Sequence, residues 1–282
     1  MRSMFDKMLY NMANNTESNR TAGDYIGDKG LLYCGKCHTP KQVEISICGK
    51  IAKPYCMCQC EEAAYKAQKE QTEISMRKQE IERNRSSSFL DLDITKYGFS
   101  QDDRRNPTES ERARSYVDNF DKMKELSTGL MFLGGTGTGK SFLAACIAKE
   151  LLDKGYKCLM TNFPRIINEL SGIYEGKQEY IDSLNRYDLL VIDDMAIERD
   201  TEYVGEIIHN IIDSRYRSGL PLIITTNLTI DELIHPKDIR KARIYSRLKE
   251  MCVPIPLTGK DRRNENAALK NAEVIKILKL DG

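Results

Sequence analysis

The stretch Gly134-Gly135-Thr136-Gly137-Thr138-Gly139-Lys140-Ser141 leaves this chain few ways to fold. It fits G-x-x-x-x-G-K-[ST], a pattern whose glycines let the backbone curl until successive N–H groups face a phosphate. The apolar run Leu130-Met131-Phe132-Leu133 comes just before it and reads as a buried strand. A helical pattern over residues 141–152 follows, so a helix N-terminus adds its positive dipole end. A glycine-rich turn that matched by chance would not have both neighbours in register. Lys140 can reach the β- and γ-phosphates, the Ser141 hydroxyl can sit on Mg²⁺, and Phe142 opens the helix against the bound group. The expected class is α/β, a parallel sheet with flanking helices.

Two further strand ends belong to the same site. Asp188-Leu189-Leu190-Val191-Ile192-Asp193-Asp194 has the continuous apolar run of a parallel strand buried on both faces and ends in two carboxylates. Ligands of such sheets bind at the carboxyl ends of strands. Asp193 is then the Mg²⁺ partner opposite Ser141, and Asp194 stands where a general base polarises the attacking water. Pro221-Leu222-Ile223-Ile224-Thr225-Thr226-Asn227 is another buried strand, and the Asn227 amide can hold that water or report on the γ-phosphate. Residues 156–162 and 252–257 supply two more strands. Helices are expected over 109–124, 163–174, 180–185, 201–218 and 264–280. Arg243 and Arg247 lie one turn apart on a helix face, and Arg262-Arg263 follow the turn at 258–260. Arginines so placed are usually solvated, but γ-phosphate sensing and fingers offered in trans require this residue type. Tyr97, Phe99, Tyr116 and Phe120 suit core packing first and an adenine face second.

The chain has 43 basic and 42 acidic residues among 282, so overall charge marks no nucleic-acid footprint. No apolar run approaches the roughly 18 residues of a membrane span, and residues 1–15 have no signal-peptide core. A soluble, cytoplasmic protein is expected. Six of the nine cysteines fall between Cys34 and Cys60. Cys34-Gly35-Lys36-Cys37 is a knuckle, and Cys56-Met57-Cys58-Gln59-Cys60 returns after 18 intervening residues. Two thiolates on a tight turn and two on a returning segment can close a tetrahedral Zn²⁺ site. A reducing compartment argues against disulfides, and the absence of a βαβ unit around the knuckle argues against a redox motif. The favoured ligands are Cys34, Cys37, Cys58 and Cys60, with Cys56 as substitute and Cys48 or His38 as weaker candidates. So short a segment buries little core, and the metal would supply most of its folding energy.

Organisation follows from these pieces. Residues 1–60 hold a short amphipathic helix (Met4, Phe5, Met8, Leu9, Met12) and the zinc module. Residues 61–88 form a linker helix in which six basic residues match six acidic ones, broken at Ser86-Ser87-Ser88. Residues 89–282 form the phosphate-loop domain.

The run from the phosphate loop through residues 189–194, 211–217, 221–228 and 243–247 resembles the DnaC/DnaI-type replicative-helicase loaders, AAA+ ATPases close to the IstB transposition helpers. With the cysteine knuckle in front, it is most similar to the zinc-bearing loaders of Firmicutes bacteria and their phages or mobile elements. The resemblance implies that residues 134–141 bind ATP and that Asp193 and Asp194 are the Mg²⁺ and catalytic carboxylates. It makes Asn227 the first sensor, Arg247 the finger offered to a neighbouring subunit, with Arg243 nearby, and Arg263 the second sensor. It also implies that the zinc module grips a hexameric DnaB-type helicase, that the ATPase part binds single-stranded DNA, and that subunits associate through their ATP sites. Many AAA+ enzymes carry Glu in the place of Asp194; a shorter carboxylate suits a slow, switch-like ATPase. A transposition helper that binds duplex DNA and recruits a transposase is the alternative, and the zinc module counts against it. A binding module using ATP only as a structural ligand would have no need of the sensors and finger arginines.

Overall fold

The computed structural model describes residues 20–47, 50–88, 96–195, 202–236 and 238–278. The amphipathic helix expected near the N-terminus and Cys48 lie outside them. The chain divides into two compact units, Met1–Lys78 and Gln79–Gly282.

The first unit contains two antiparallel pairs, β1 (Tyr25–Ile26) with β2 (Leu32–Tyr33) and β3 (Ile45–Ile47) with β4 (Lys50–Ala52). Its buried residues include Leu32, Cys34 and Cys58 beside Asp24, Lys41 and Gln42. The Gln42 amide accepts from Leu32 N at 2.8 Å and donates to Lys53 O at 3.0 Å, so it stands in for the ladder that such short strands cannot form. Helix α1 (Gln59–Ser88) starts two residues earlier than the sequence suggests, which places Cys60 in its first turn. Its surface is mostly exposed, as the matched charges require, and Ser86-Ser87-Ser88 continue the helix instead of breaking it.

The second unit is built on five parallel strands: β5 (Gly129–Leu133), β6 (Cys158–Asn162), β7 (Leu189–Asp193), β8 (Leu222–Thr226) and β9 (Cys252–Pro256). Their order across the sheet is β6-β7-β8-β5-β9. Register is continuous, with Leu130 opposite Ile223 and Val253, Val191 opposite Ile223, and Asn162 opposite Asp193. Side chains alternate between faces. Leu130, Phe132, Val191 and Ile223 pack beneath helices α2 (Pro107–Asp118) and α4 (Lys140–Asp153), with Ala113, Val117, Cys146 and Ile147. Met131, Leu133, Leu190, Ile192 and Ile224 pack on the other face, against α5 (Phe163–Ser171), α7 (Glu202–Ser218) and α9 (Ile239–Met251). Both faces of β5, β7 and β8 are covered, which explains why these strands read as unbroken apolar runs, whereas the outer strand β9 is half exposed. Cys146, Cys158 and Cys252 are buried core residues.

Several bounds differ from the sequence reading. The helix expected over 109–124 is two, α2 and α3 (Phe120–Glu125), because Asn119 leaves helical geometry at φ −110, ψ 23. Pro107 begins α2, where its missing N–H costs nothing. Gly172 ends α5 earlier than expected, and α6 (Lys177–Ser183) begins after Gly176. A short helix, α8 (Ile230–Ile234), follows β8 behind a capping box of Thr229 and Glu232. The last helix, α10 (Arg262–Leu278), starts early enough to take both Arg262 and Arg263 into its first turn. In β9, the ladder bond from Leu257 N to Leu133 O sets the parity. Pro254 and Pro256 therefore occupy the positions whose N–H would point away from the sheet, which suits an outer strand.

Candidate nucleotide site and thiol cluster

The phosphate loop runs from the end of β5 into α4. Gly134 (φ 146) passes so close to Leu257 O that a Cβ there would stand 2.1 Å from it. Gly139 (φ 104) turns beneath the Arg262 guanidinium, 2.6 Å from where its Cβ would be. Neither position accepts a side chain. Thr138 Oγ1 donates to Gly135 O at 3.0 Å, and the buried Asn106 amide donates to Thr138 O at 3.0 Å. The loop is thus braced from its own chain and from the segment preceding α2. Gly135 has open space around it.

Lys140 is buried and its Nζ donates to Gly134 O (2.8 Å), Gly135 O (2.7 Å) and Asn227 Oδ1 (2.9 Å). Burial lowers its pKa, while Asp194 and Asp193 pull it back up. At the end of β7, Asp193 Oδ1 accepts from Thr225 Oγ1 at 2.6 Å. The same hydroxyl accepts from Asp194 N at 2.8 Å and holds Asp194 at φ 50, a left-handed turn that Asp tolerates better than most residues. One threonine therefore aims two consecutive carboxylates.

These groups line one cavity of about 670 Å³. Thr136, Gly137, Gly139, Lys140, Ser141 and Phe142 form its floor, Asp193, Asp194 and Asn227 one wall, and Arg263 part of its rim. Sequence reasoning placed all of these here. Tyr97, Gln101, Asp103, Thr225 and Arg262 also line it and were not singled out for the site, except Tyr97 as an aromatic of either use. The Tyr97 ring lies 6.2 Å from that of Phe142, whereas Phe99, Tyr116 and Phe120 are buried in the core. Arg262 donates from its backbone to Gly137 O at 3.2 Å and pairs with Asp103 Oδ1 at 3.3 Å. The adjacency of Arg262 to Arg263 was the available signal, and only the early start of α10 decides that both face the loop.

Arg243 and Arg247 are not among the residues lining this cavity. Arg247 Nη2 pairs with Asp213 at 2.5 Å, and its guanidinium stacks 4.9 Å from the Tyr216 ring. Arg243 is exposed on α9. Below the opposite ends of the strands, the fully buried Arg215 donates to the carbonyls of Leu184, Tyr187, Asp188 and Pro221. Burial brings its pKa down to about 10.

In the first unit the sulfurs of Cys34, Cys37, Cys58 and Cys60 lie within 4.8 Å of one another. Cys34 and Cys60 are 3.5 Å apart and Cys58 and Cys60 3.3 Å. A tetrahedral Zn–S₄ site needs sulfurs about 3.8 Å apart, so the set fits that metal with small adjustment. Lys36 N donates to Cys34 Sγ at 3.4 Å, as knuckle amides do for a thiolate. Cys56 Sγ instead faces Pro40 O at 3.6 Å, and His38 Nδ1 meets the Tyr25 hydroxyl at 3.2 Å. Neither joins the cluster.

A phosphate loop between the first strand and its helix, carboxylates on the third strand and an asparagine after the fourth, on a 2-3-4-1-5 parallel sheet, define an AAA+-type nucleotide-binding fold. Residues 61–266 match the family of IstB-like ATP binding proteins, and the chain belongs to it. Among curated proteins it is 27% identical over 192 residues to the replicative helicase loader DnaI of Bacillus subtilis, covering 63% of this chain and 62% of that protein. It is 32% identical over 126 residues to the replicative helicase loader DnaC of Escherichia coli, covering 43% of this chain and 50% of that protein. The aligned region is thus less than two thirds of either relative's length. A crystal structure of DnaI superposes with a TM-score of 0.51 at 25% identity, over 60% of this chain and 92% of that one. No helix among the described residues is long and apolar enough to cross a membrane.

Proposed function

We propose that this protein is an ATP-dependent loader that binds a hexameric DnaB-type replicative helicase and delivers it to single-stranded DNA. The observation that carries the reading is the convergence of Lys140, Asp193, Asp194 and Asn227 on one cavity, in a chain whose relatives are replicative helicase loaders. Gly134–Ser141 would cradle the phosphates of ATP. Lys140 would exchange two backbone carbonyls for phosphate oxygens while keeping Asn227 within reach of the γ-phosphate. Ser141 and Asp193 would hold Mg²⁺, which when bound neutralises charge on the phosphate oxygens. Asp194 would orient the attacking water and accept its proton. Its short arm suits slow turnover.

Arg247, already aimed by Asp213 and Tyr216, would be offered to the ATP site of a neighbouring subunit, with Arg243 beside it. Arg263 would sense nucleotide in its own subunit. Cys34, Cys37, Cys58 and Cys60 would hold Zn²⁺ in the module that grips the helicase.

The test is capture of a hexameric replicative helicase by the full-length protein, with and without ATP, beside Cys34→Ser and Arg247→Ala. Helicase retained by the native chain, lost in Cys34→Ser and still bound by an ATPase-dead Arg247→Ala supports the loader. Retention of duplex DNA and a transposase, with no helicase bound, would establish the transposition helper instead.

A further inference from the structure

Three charged side chains sit behind the thiol cluster and have no part in the reading above. Lys41 is 1% exposed, and its Nζ is 2.8 Å from Asp24 Oδ2 and 2.9 Å from Glu61 Oε1. The Asp24 side chain is 1% exposed as well. In so small a unit this is costly, because desolvating Lys41 and Asp24, with Glu61 partly covered, forfeits more than their attraction returns unless the hydrogen bonds are made. Here they are made, and their direction is informative. Asp24 Oδ1 accepts from Gly35 N at 3.1 Å, inside the turn that carries Cys34 and Cys37. Its Oδ2 accepts from Thr21 N and Oγ1 at 2.8 and 2.9 Å. Glu61 Oε2 accepts from Cys58 N at 3.2 Å and from the Tyr55 hydroxyl, on the segment that carries Cys58 and Cys60. The Lys41 backbone spans the same divide, donating to Leu32 O at 2.7 Å and accepting from Cys56 N at 2.8 Å.

We propose that Asp24, Lys41 and Glu61 are positioning residues for the metal site, each carboxylate fixing one pair of thiols and Lys41 locking the two pairs at their common spacing. This rests on the zinc reading. Metal ligands whose outer partners are removed lose roughly 10–100-fold in affinity. The competing account of Glu61 is a helix cap, since Cys58 is the residue before α1 and Glu61 the third in it. Glutamine caps a helix in that position as glutamate does, but it forms no ion pair with Lys41 and has no second acceptor oxygen to offer it while capping. Glu61→Gln therefore separates the two roles.

The experiment uses the full-length, zinc-loaded protein and follows zinc release to a metallochromic chelator, with the visible spectrum of the Co²⁺-substituted protein as a second readout. Glu61→Gln and Asp24→Asn should each weaken zinc about 10–100-fold and speed its release, with shifted Co²⁺ ligand-field bands and unchanged ATP binding. Lys41→Met should exceed either. If it does not fold, the two amide variants, which preserve size but remove the charge and turn one acceptor oxygen into a donor, decide the matter. Wild-type release rates and Co²⁺ spectra in both amide variants would overturn the proposal, even with a lowered melting temperature. A native protein that holds no zinc, or a Cys34→Ser protein that still holds it, would instead strike at the zinc reading and take this proposal with it.

Discussion

Between Lys78 and Gln79 the chain passes from a unit whose interior is made of thiols and ions to one whose interior is made of aliphatic strands. Among the described residues of the first, Leu32 is the buried aliphatic side chain, and Cys34, Cys58, Asp24, Lys41 and Gln42 are buried beside it. In the second, Val191, Ile192, Ile223, Ile224, Met131 and Phe132 are all fully buried. Size decides the difference. A long sheet covered on both faces removes enough apolar area from water to offset its ordering entropy, and non-directional contacts suffice. A unit of this length cannot, so it depends on directional contacts: charge-assisted hydrogen bonds and four convergent sulfurs. Such an interior is brittle where the other is tolerant.

Lys140→Ala should break the sheet unit's function while sparing the other unit. ATP binding measured with a fluorescent analogue should fall beyond roughly 10²-fold and turnover should vanish, with one zinc per chain retained. Unchanged turnover would sink the site assignment. Removing zinc with a chelator, or by Cys34→Ser, should collapse the first unit, read as new amide exchange confined to residues 20–78, while ATP affinity stays within about twofold. A parallel loss of ATP affinity would show that the two interiors are energetically one. Thr225→Val keeps shape but removes the hydroxyl that aims Asp193 and Asp194, so steady-state turnover should drop roughly 10–100-fold. ATP affinity should hardly change, and Thr225→Ser should restore most of the rate. At the small end, Ile223→Val should cost only about 1 kcal/mol in denaturant unfolding. A loss several times larger would mean the sheet core is as unforgiving as the ion triad.

The same contrast explains what was legible in the sequence. Strands β5, β7 and β8 announced themselves because burial on both faces demands unbroken apolar runs, and the phosphate loop because its glycines and lysine have fixed spacing. The cysteine set was legible from its clustering, and the structure brings the four favoured thiols together. What was hidden is what depends on long-range partners. Asp24, Lys41 and Glu61 are spaced without period, and each alone reads as a surface charge. Arg215 lies in a run that drew notice only by family resemblance, yet it is buried against four carbonyls. Thr225 looked like one more β-branched strand residue. Arg262 looked like the lesser twin of Arg263 until α10 was seen to begin at it.

The prolines of β9 carry a consequence for the life of the chain as well as for its shape. An outer strand with free N–H groups is a template on which a second polypeptide can add, in a crowded cell or during slow folding of a parallel sheet. Pro254 and Pro256 remove the donors that such an addition would use. On that side the sheet ends without the N–H donors of Pro254 and Pro256, so a second strand could not extend it through a complete backbone ladder, the kind of contact that is hardest to undo.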